Sequence, residues 1–259
     1  MTIQDSPTSQ ARKLLSDAPL ARVLVQVRWP ELTDFRLEDV ANGMARQLGS
    51  EYPLKRRDAE LQVMFTPAGP QQQSNGFVHR FASAAEDWTV SIGSSFLAIE
   101  TNGYKGHEEL IERLSKALTA LAETSSIPII NRVGYRYTNR IVGADDLARL
   151  NERFSPSVLG AIGTAPEGYD LAHSITESVY KVDSSFLLVR SAQVGANETI
   201  DQTLAPVAEK SWILDLDAYD ESRVEFRVSA VAEMATKLSG VASNHFHSLT
   251  TPKFLERYA

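Results

Sequence analysis

Arginine returns at positions 132, 136 and 140 of the segment Arg132-Val133-Gly134-Tyr135-Arg136-Tyr137-Thr138-Asn139-Arg140-Ile141. Side chains of an extended chain alternate between faces, so Arg132, Gly134, Arg136, Thr138 and Arg140 share one face, and Val133, Tyr135, Tyr137 and Ile141 the other. A row of guanidinium groups on a sheet has two uses. The planar forks grip phosphate or carboxylate groups of a partner, or they pair with acids on neighbouring strands and stabilise register. Arg22, Arg28, Arg132, Arg136 and Arg140 are therefore candidate anion- or partner-binding residues, with Gln26 and Arg80 on the same expected face. Glu100, Glu177, Asp215 and Asp217 are the candidate counter-charges, and Glu177, Asp215 and Asp217 the candidate metal ligands.

Other chemistry is thinly represented. Asp215 and Asp217, in Leu214-Asp215-Leu216-Asp217-Ala218-Tyr219-Asp220, share a strand face and could act as paired carboxylates on a divalent cation; the plainer expectation is that they end a strand, pair with arginines and lead into a turn at 219–221. His245 and His247 lie two apart, which on a helix separates them by about 200° and works against joint ligation. His79 and His173, expected on strands, read as structural residues. No phosphate-binding glycine loop, nucleophile elbow or dinucleotide fingerprint is present, and no cofactor is expected. A triphosphate tunnel would need glutamates and a lysine on its first strand, whereas that strand reads ARVLVQVRW. A stacking platform for single-stranded nucleic acid needs exposed aromatics, and Tyr135 and Tyr137 alternate away from the arginines.

The elements that must position these residues follow from periodicity. Residues 1–17 are polar and read as a tail. Val23, Val25, Val27 and Trp29 alternate with Arg22, Leu24, Gln26 and Arg28, which predicts a half-buried strand. A helix follows from about 35 to Gly49, then strands over 61–66, 77–83, 88–92 and 96–101, then a helix over 106–125 whose stripe is Leu110, Ile111, Leu114, Leu118 and Leu121. After Pro128 the order repeats: the arginine strand, a helix opened by Asp145-Asp146, strands over 169–182, 185–192 and 211–216, and a long helix from about Val228. Thr251-Pro252 starts a short last helix. The expected fold is α+β: duplicated β-α-β(n)-α units, as lobes 18–126 and 127–259, form antiparallel sheet with the long helices on one face and the arginines on the other.

Composition bounds the rest. The chain has 259 residues, no cysteine and a net charge of −7, which excludes disulfides and thiol chemistry and disfavours non-specific nucleic-acid binding. No stretch reaches the roughly 18 to 20 apolar residues of a membrane span, and no secretory pattern opens the chain, so a cytoplasmic location without membrane association is expected.

The Arg132–Arg140 strand R-V-G-x-R-Y-x-N-R, with Ala18-Pro19 ahead of a valine-rich strand and the late Leu214-Asp215-Leu216-Asp217, resembles a sporadically distributed prokaryotic family of uncharacterised proteins. The resemblance spans nearly the whole chain and implies no activity; patchy distribution suggests accessory genes such as stress, toxin–antitoxin or phage-defence loci. The reading preferred from sequence is a non-enzymatic binding protein using the arginine face for a protein or anionic partner. A metal-dependent phosphate- or nucleotide-processing enzyme, with Arg132, Arg136 and Arg140 as clamps, and a structural homo-oligomerisation module are the alternatives.

Overall fold

The computed structural model describes residues 18–66, 69–162, 164, 166–201 and 204–258, with side chains described outside 60–75. The expected tail, 1–17, lies outside the described residues. In chain order the elements are β1 (Leu20–Arg28), α1 (Leu37–Leu48), β2 (Leu54–Thr66), β3 (Gly69–Ala82), β4 (Trp88–Ile92), β5 (Phe96–Thr101), α2 (His107–Thr124), β6 (Ile129–Ile130), β7 (Arg132–Val142), α3 (Ala144–Ala148), α4 (Leu150–Arg153), β8 (Ser174–Val182), β9 (Ser185–Val194), β10 (Ser211–Asp220), β11 (Val224–Glu225), α5 (Val228–Leu249) and α6 (Pro252–Tyr258). A single 3-10 turn, Pro156–Val158, precedes β8.

The fold is α+β, built on a nine-stranded antiparallel sheet in the order β2-β3-β4-β5-β1-β7-β10-β9-β8, with β6 and β11 pairing separately. β1 and β7 lie side by side at its middle, Val25 opposite Tyr135 and Arg28 opposite Arg132. Outward from that seam each half winds alike, its first strand beside the last strand of its own meander. The helices α1, α2 and α5 pack in a row, α1 on α2 and α2 on α5, with α2 against β5 and α5 against β7 and β10. Val23, Val25, Val27, Val133 and Tyr135 from the strands meet Leu110, Leu114, Leu118, Val231, Ala235 and Leu238 from α2 and α5 in one hydrophobic cluster that draws on both halves. Acidic pairs in the first turns, Glu38 and Asp39 in α1 and Glu108 and Glu109 in α2, oppose the positive helix ends.

Three local expectations change. The strands expected over 61–66 and 77–83 are halves of a long hairpin, because the polar run after Pro70 continues the ladder, Gln71 opposite Met64 and Ser74 opposite Leu61. β10 does not stop near Leu216: Tyr219 still pairs with Gly134 and Phe186, so the ladder reaches Asp220. His173 sits just ahead of β8 rather than on a strand.

Candidate functional site

The even-numbered face of β7 is turned away from the helices, as the alternation predicts: Tyr135 is fully buried in the core, while Arg132 and Arg136 keep about a fifth of their side chains exposed, 21% each. Register brings acids to them. Asp217 lies opposite Arg136 and Asp215 opposite Thr138 on β10, and Glu100 lies opposite Leu24 on β5, two residues along from Arg22.

The result is an unbroken chain of ion pairs across the sheet. Arg80 Nε donates to Asp58 Oδ2 at 2.8 Å, and its Nη1 reaches Glu100 Oε1 at 3.5 Å. Arg22 Nη1 stands 3.7 Å from Glu100 Oε2, and Arg22 Nη2 donates to Asp201 Oδ2 at 2.7 Å. The same Asp201 oxygen stands 2.9 Å from Arg136 Nη2, and Arg136 closes a two-pronged pair with Asp215 at 2.7 Å in each prong. Thr138 Oγ1 adds a third donor to Asp215 at 2.9 Å. Two further pairs flank the chain, Arg132 with Asp217 at 2.9 Å and Arg190 with Glu177 at 2.5 Å.

Gly134 explains the Arg132 pair. A Cβ there would come within 2.8 Å of Arg132 Nη1 and 3.3 Å of Asp217 Oδ1, so the missing side chain is the space through which the guanidinium lies along the strand to Asp217. From that position it also stacks 4.7 Å from the Tyr219 ring, itself stacked on Phe186 at 5.4 Å. Arg28, opposite Arg132, donates to Gln26 at 2.7 Å.

Arg140 is placed differently. The connection between β9 and β10 crosses the face here, where Ile200 and Leu204 pack with Ala192, Val194 and Ile213 in a small second core. Arg140 is covered beside it, donates from Nη1 to Ala205 O at 2.5 Å, and leaves Nε and Nη2 without a hydrogen-bond partner among the described residues. No carboxylate among the described residues pairs with it, and burial pulls its pKa below the ordinary arginine value. For Arg136 burial also opposes the charge, but the hydrogen bonds and charges of Asp215, then Asp201 and Asp217, hold its pKa above the ordinary value. Burial pushes the Asp217 carboxyl up, against the pull of Arg132 and Arg136.

The chemistry open to this arrangement is narrow. Asp215 is buried, 1% exposed, with both oxygens accepting from protein donors, and Asp217 is already paired with Arg132. Among the described residues no group of three or more histidines and carboxylates is placed to hold a metal ion. The structure thus joins Arg22, Arg132, Arg136, Asp215 and Asp217 in one face, with Arg28 beside Arg132 at one end, sets Glu177 at its rim with Arg190, and buries Arg140 at the other end. Asp201 and Asp58 were not foreseen. Asp58 had a signal, its two-residue spacing from Arg56 in a polar run, but Asp201 lies in a connection whose path no periodicity encodes. No family model matches the chain, and no curated protein matches it.

Proposed function

We propose that this chain is a non-enzymatic binding protein whose helix-free sheet face, centred on Arg22, Arg132 and Arg136, docks a partner protein. The observation that carries this reading is the chain of ion pairs from Asp58 to Asp215, anchored by buried Arg22 and Asp215 while Arg80, Glu100 and Arg136 stay partly exposed. A small phosphate or carboxylate ligand would have to displace Asp201, Asp215 or Asp217 from an arginine. Leaving such a carboxylate buried and unpaired costs on the order of 3–5 kcal/mol. A protein surface carrying both signs extends the pairs without breaking any, and the Arg132–Tyr219–Phe186 stack supplies a flat, semi-apolar anchor of the kind that concentrates binding energy. The setting that fits is an accessory stress or phage-defence module, which rests on the resemblance of the Arg132–Arg140 strand alone.

The test is affinity capture with the intact protein, comparing wild type with Arg28→Glu and Arg132→Gln, each checked for native circular dichroism. Loss of the same captured protein from both variants, with retention by a control substitution at exposed Thr119 on α2, is the expected result. A captured partner that both variants retain at wild-type levels removes this face as the site.

A further inference from the structure

The sheet ends on β8, whose outer side pairs with no strand among the described residues. β8 pairs with β9 without interruption from Ser174 opposite Gln193 to Val182 opposite Ser185, and it has no proline and no register shift. It also carries apolar side chains in solvent: Ile175 is 51%, Val179 57% and Tyr180 44% exposed. Edge strands in monomers are ordinarily blunted by charges, proline or bulges, because their free N–H and C=O groups template another strand. We propose that a second copy of this chain occupies the edge, its β8 pairing antiparallel with this one across a two-fold axis through Val179, to continue the sheet.

The register follows from hydrogen bonding and charge. The hairpin closes on a two-residue loop, so Val182 and Ser185 exchange hydrogen bonds and the even-numbered residues of β8 bond inward to β9. The N–H and C=O groups of Ile175, Glu177, Val179 and Lys181 therefore point outward, and symmetric pairing brings odd-numbered residues together about Glu177, Ser178 or Val179. Centring on Glu177 sets two carboxylates face to face. Centring on Ser178 sets Glu177 against Val179 and Lys181 against Ile175. Centring on Val179 sets that valine against itself and Glu177 against Lys181 on both sides, so cross-strand charge selects it. Glu177 keeps its Arg190 partner at 2.5 Å, and an Arg190–Glu177–Lys181 triad then bridges the seam twice. On the other face Tyr180 falls opposite the small Ser178 of the second copy. The ladder supplies about six inter-chain hydrogen bonds.

The experiment is sedimentation equilibrium or light scattering on the intact protein, with Lys181→Glu, Glu177→Lys and an equimolar mixture of the two. Wild type is expected to dimerise. Each variant alone sets like charges opposite each other and should self-associate about tenfold or more weakly. The mixture sets Glu against Lys at both positions and should restore a heterodimer. Because Glu177→Lys also removes the Arg190 partner, Val179→Asp serves as a second probe; it leaves that pair intact, places two carboxylates on the axis, and should yield monomer. A wild type that stays monomeric at about 100 µM, or a dimer that both Lys181→Glu and Val179→Asp leave intact, overturns the proposal.

Discussion

Two aspartates two residues apart, facing the same arginines, are expected to behave in opposite ways when altered. Asp215 is buried and takes three hydrogen bonds, two from Arg136 and one from Thr138. Arg136→Met strips the two strongest of these and leaves a carboxylate that water cannot reach, so it should destabilise the protein by about 3–5 kcal/mol. Asp217 has the weaker environment: burial raises its pKa in spite of Arg132 and Arg136. A carboxyl whose folded pKa lies above its unfolded one loses stability as pH rises through the unfolded and then the folded value, so at neutral pH its charge works against the fold. Asp217→Asn removes that charge and keeps an oxygen for Arg132. Urea unfolding at pH 7 should find it neutral or stabilising, and a loss as large as that of Arg136→Met would contradict the contrast.

At the scale of elements, two histidines, His79 buried and His245 half-buried, couple helices to strands. His245 on α5 lies 5.1 Å from the Tyr180 ring of β8, with Nε2 buried and without a hydrogen-bond partner among the described residues, and burial lowers its pKa. His79 on β3 lies under α1; burial lowers its pKa first, Glu38 pulls it up, and Lys55 and Arg57 push it down. In both cases the unfolded chain takes up the proton before the folded one does. Their contribution is therefore complete above the unfolded histidine pKa of about 6.5 and is lost as pH falls through it toward the depressed folded values. Thermal melts from pH 7.5 to about 5.5 should show a falling Tm, and His79→Gln/His245→Gln should flatten that slope; an unchanged slope excludes both imidazoles as its source. The same elements show what sequence carries. Period-3.6 stripes placed α2 and the start of α5 within a residue or two, and period-2 alternation separated the arginine face from Tyr135. The β2–β3 hairpin escaped because its second strand is polar and glycine-flanked, so only the backbone pairing distinguishes it from a turn. The ion pairs were legible where both partners sit on strands, as with Arg136 and Asp215, and hidden where one arrives on the β9–β10 connection, as Asp201 does.

At the scale of the molecule, the similar winding of residues 18–126 and 127–259 raises the question of whether they are separate cooperative units. β1 and β7 pair from Leu20 opposite Asn139 to Arg28 opposite Arg132, so the sheet's backbone bonds run through the boundary. Above the seam α2 packs on α5, and His107 Nε2 stands 3.2 Å from Thr236 Oγ1. Below it Asp201 of the second half bridges Arg22 of the first and Arg136 of the second. Parting the halves would open a two-sided apolar seam lined by Val23, Val25, Val133 and Tyr135, all buried, together with both strand edges. Partial unfolding would therefore lose hydrophobic burial and ladder bonds in the half left standing, which is the condition for a single transition. The three tryptophans report on this directly, since Trp29 and Trp88 lie in the first half and Trp212, packed on Phe154 at 4.6 Å, in the second. Proteins retaining only Trp88 or only Trp212, the others changed to Phe, should unfold in urea with coincident midpoints and slopes. Calorimetric and van't Hoff enthalpies should also agree. If the Trp88 and Trp212 transitions separate, the halves are autonomous lobes and the β1–β7 seam is a docking contact between them rather than the centre of one core.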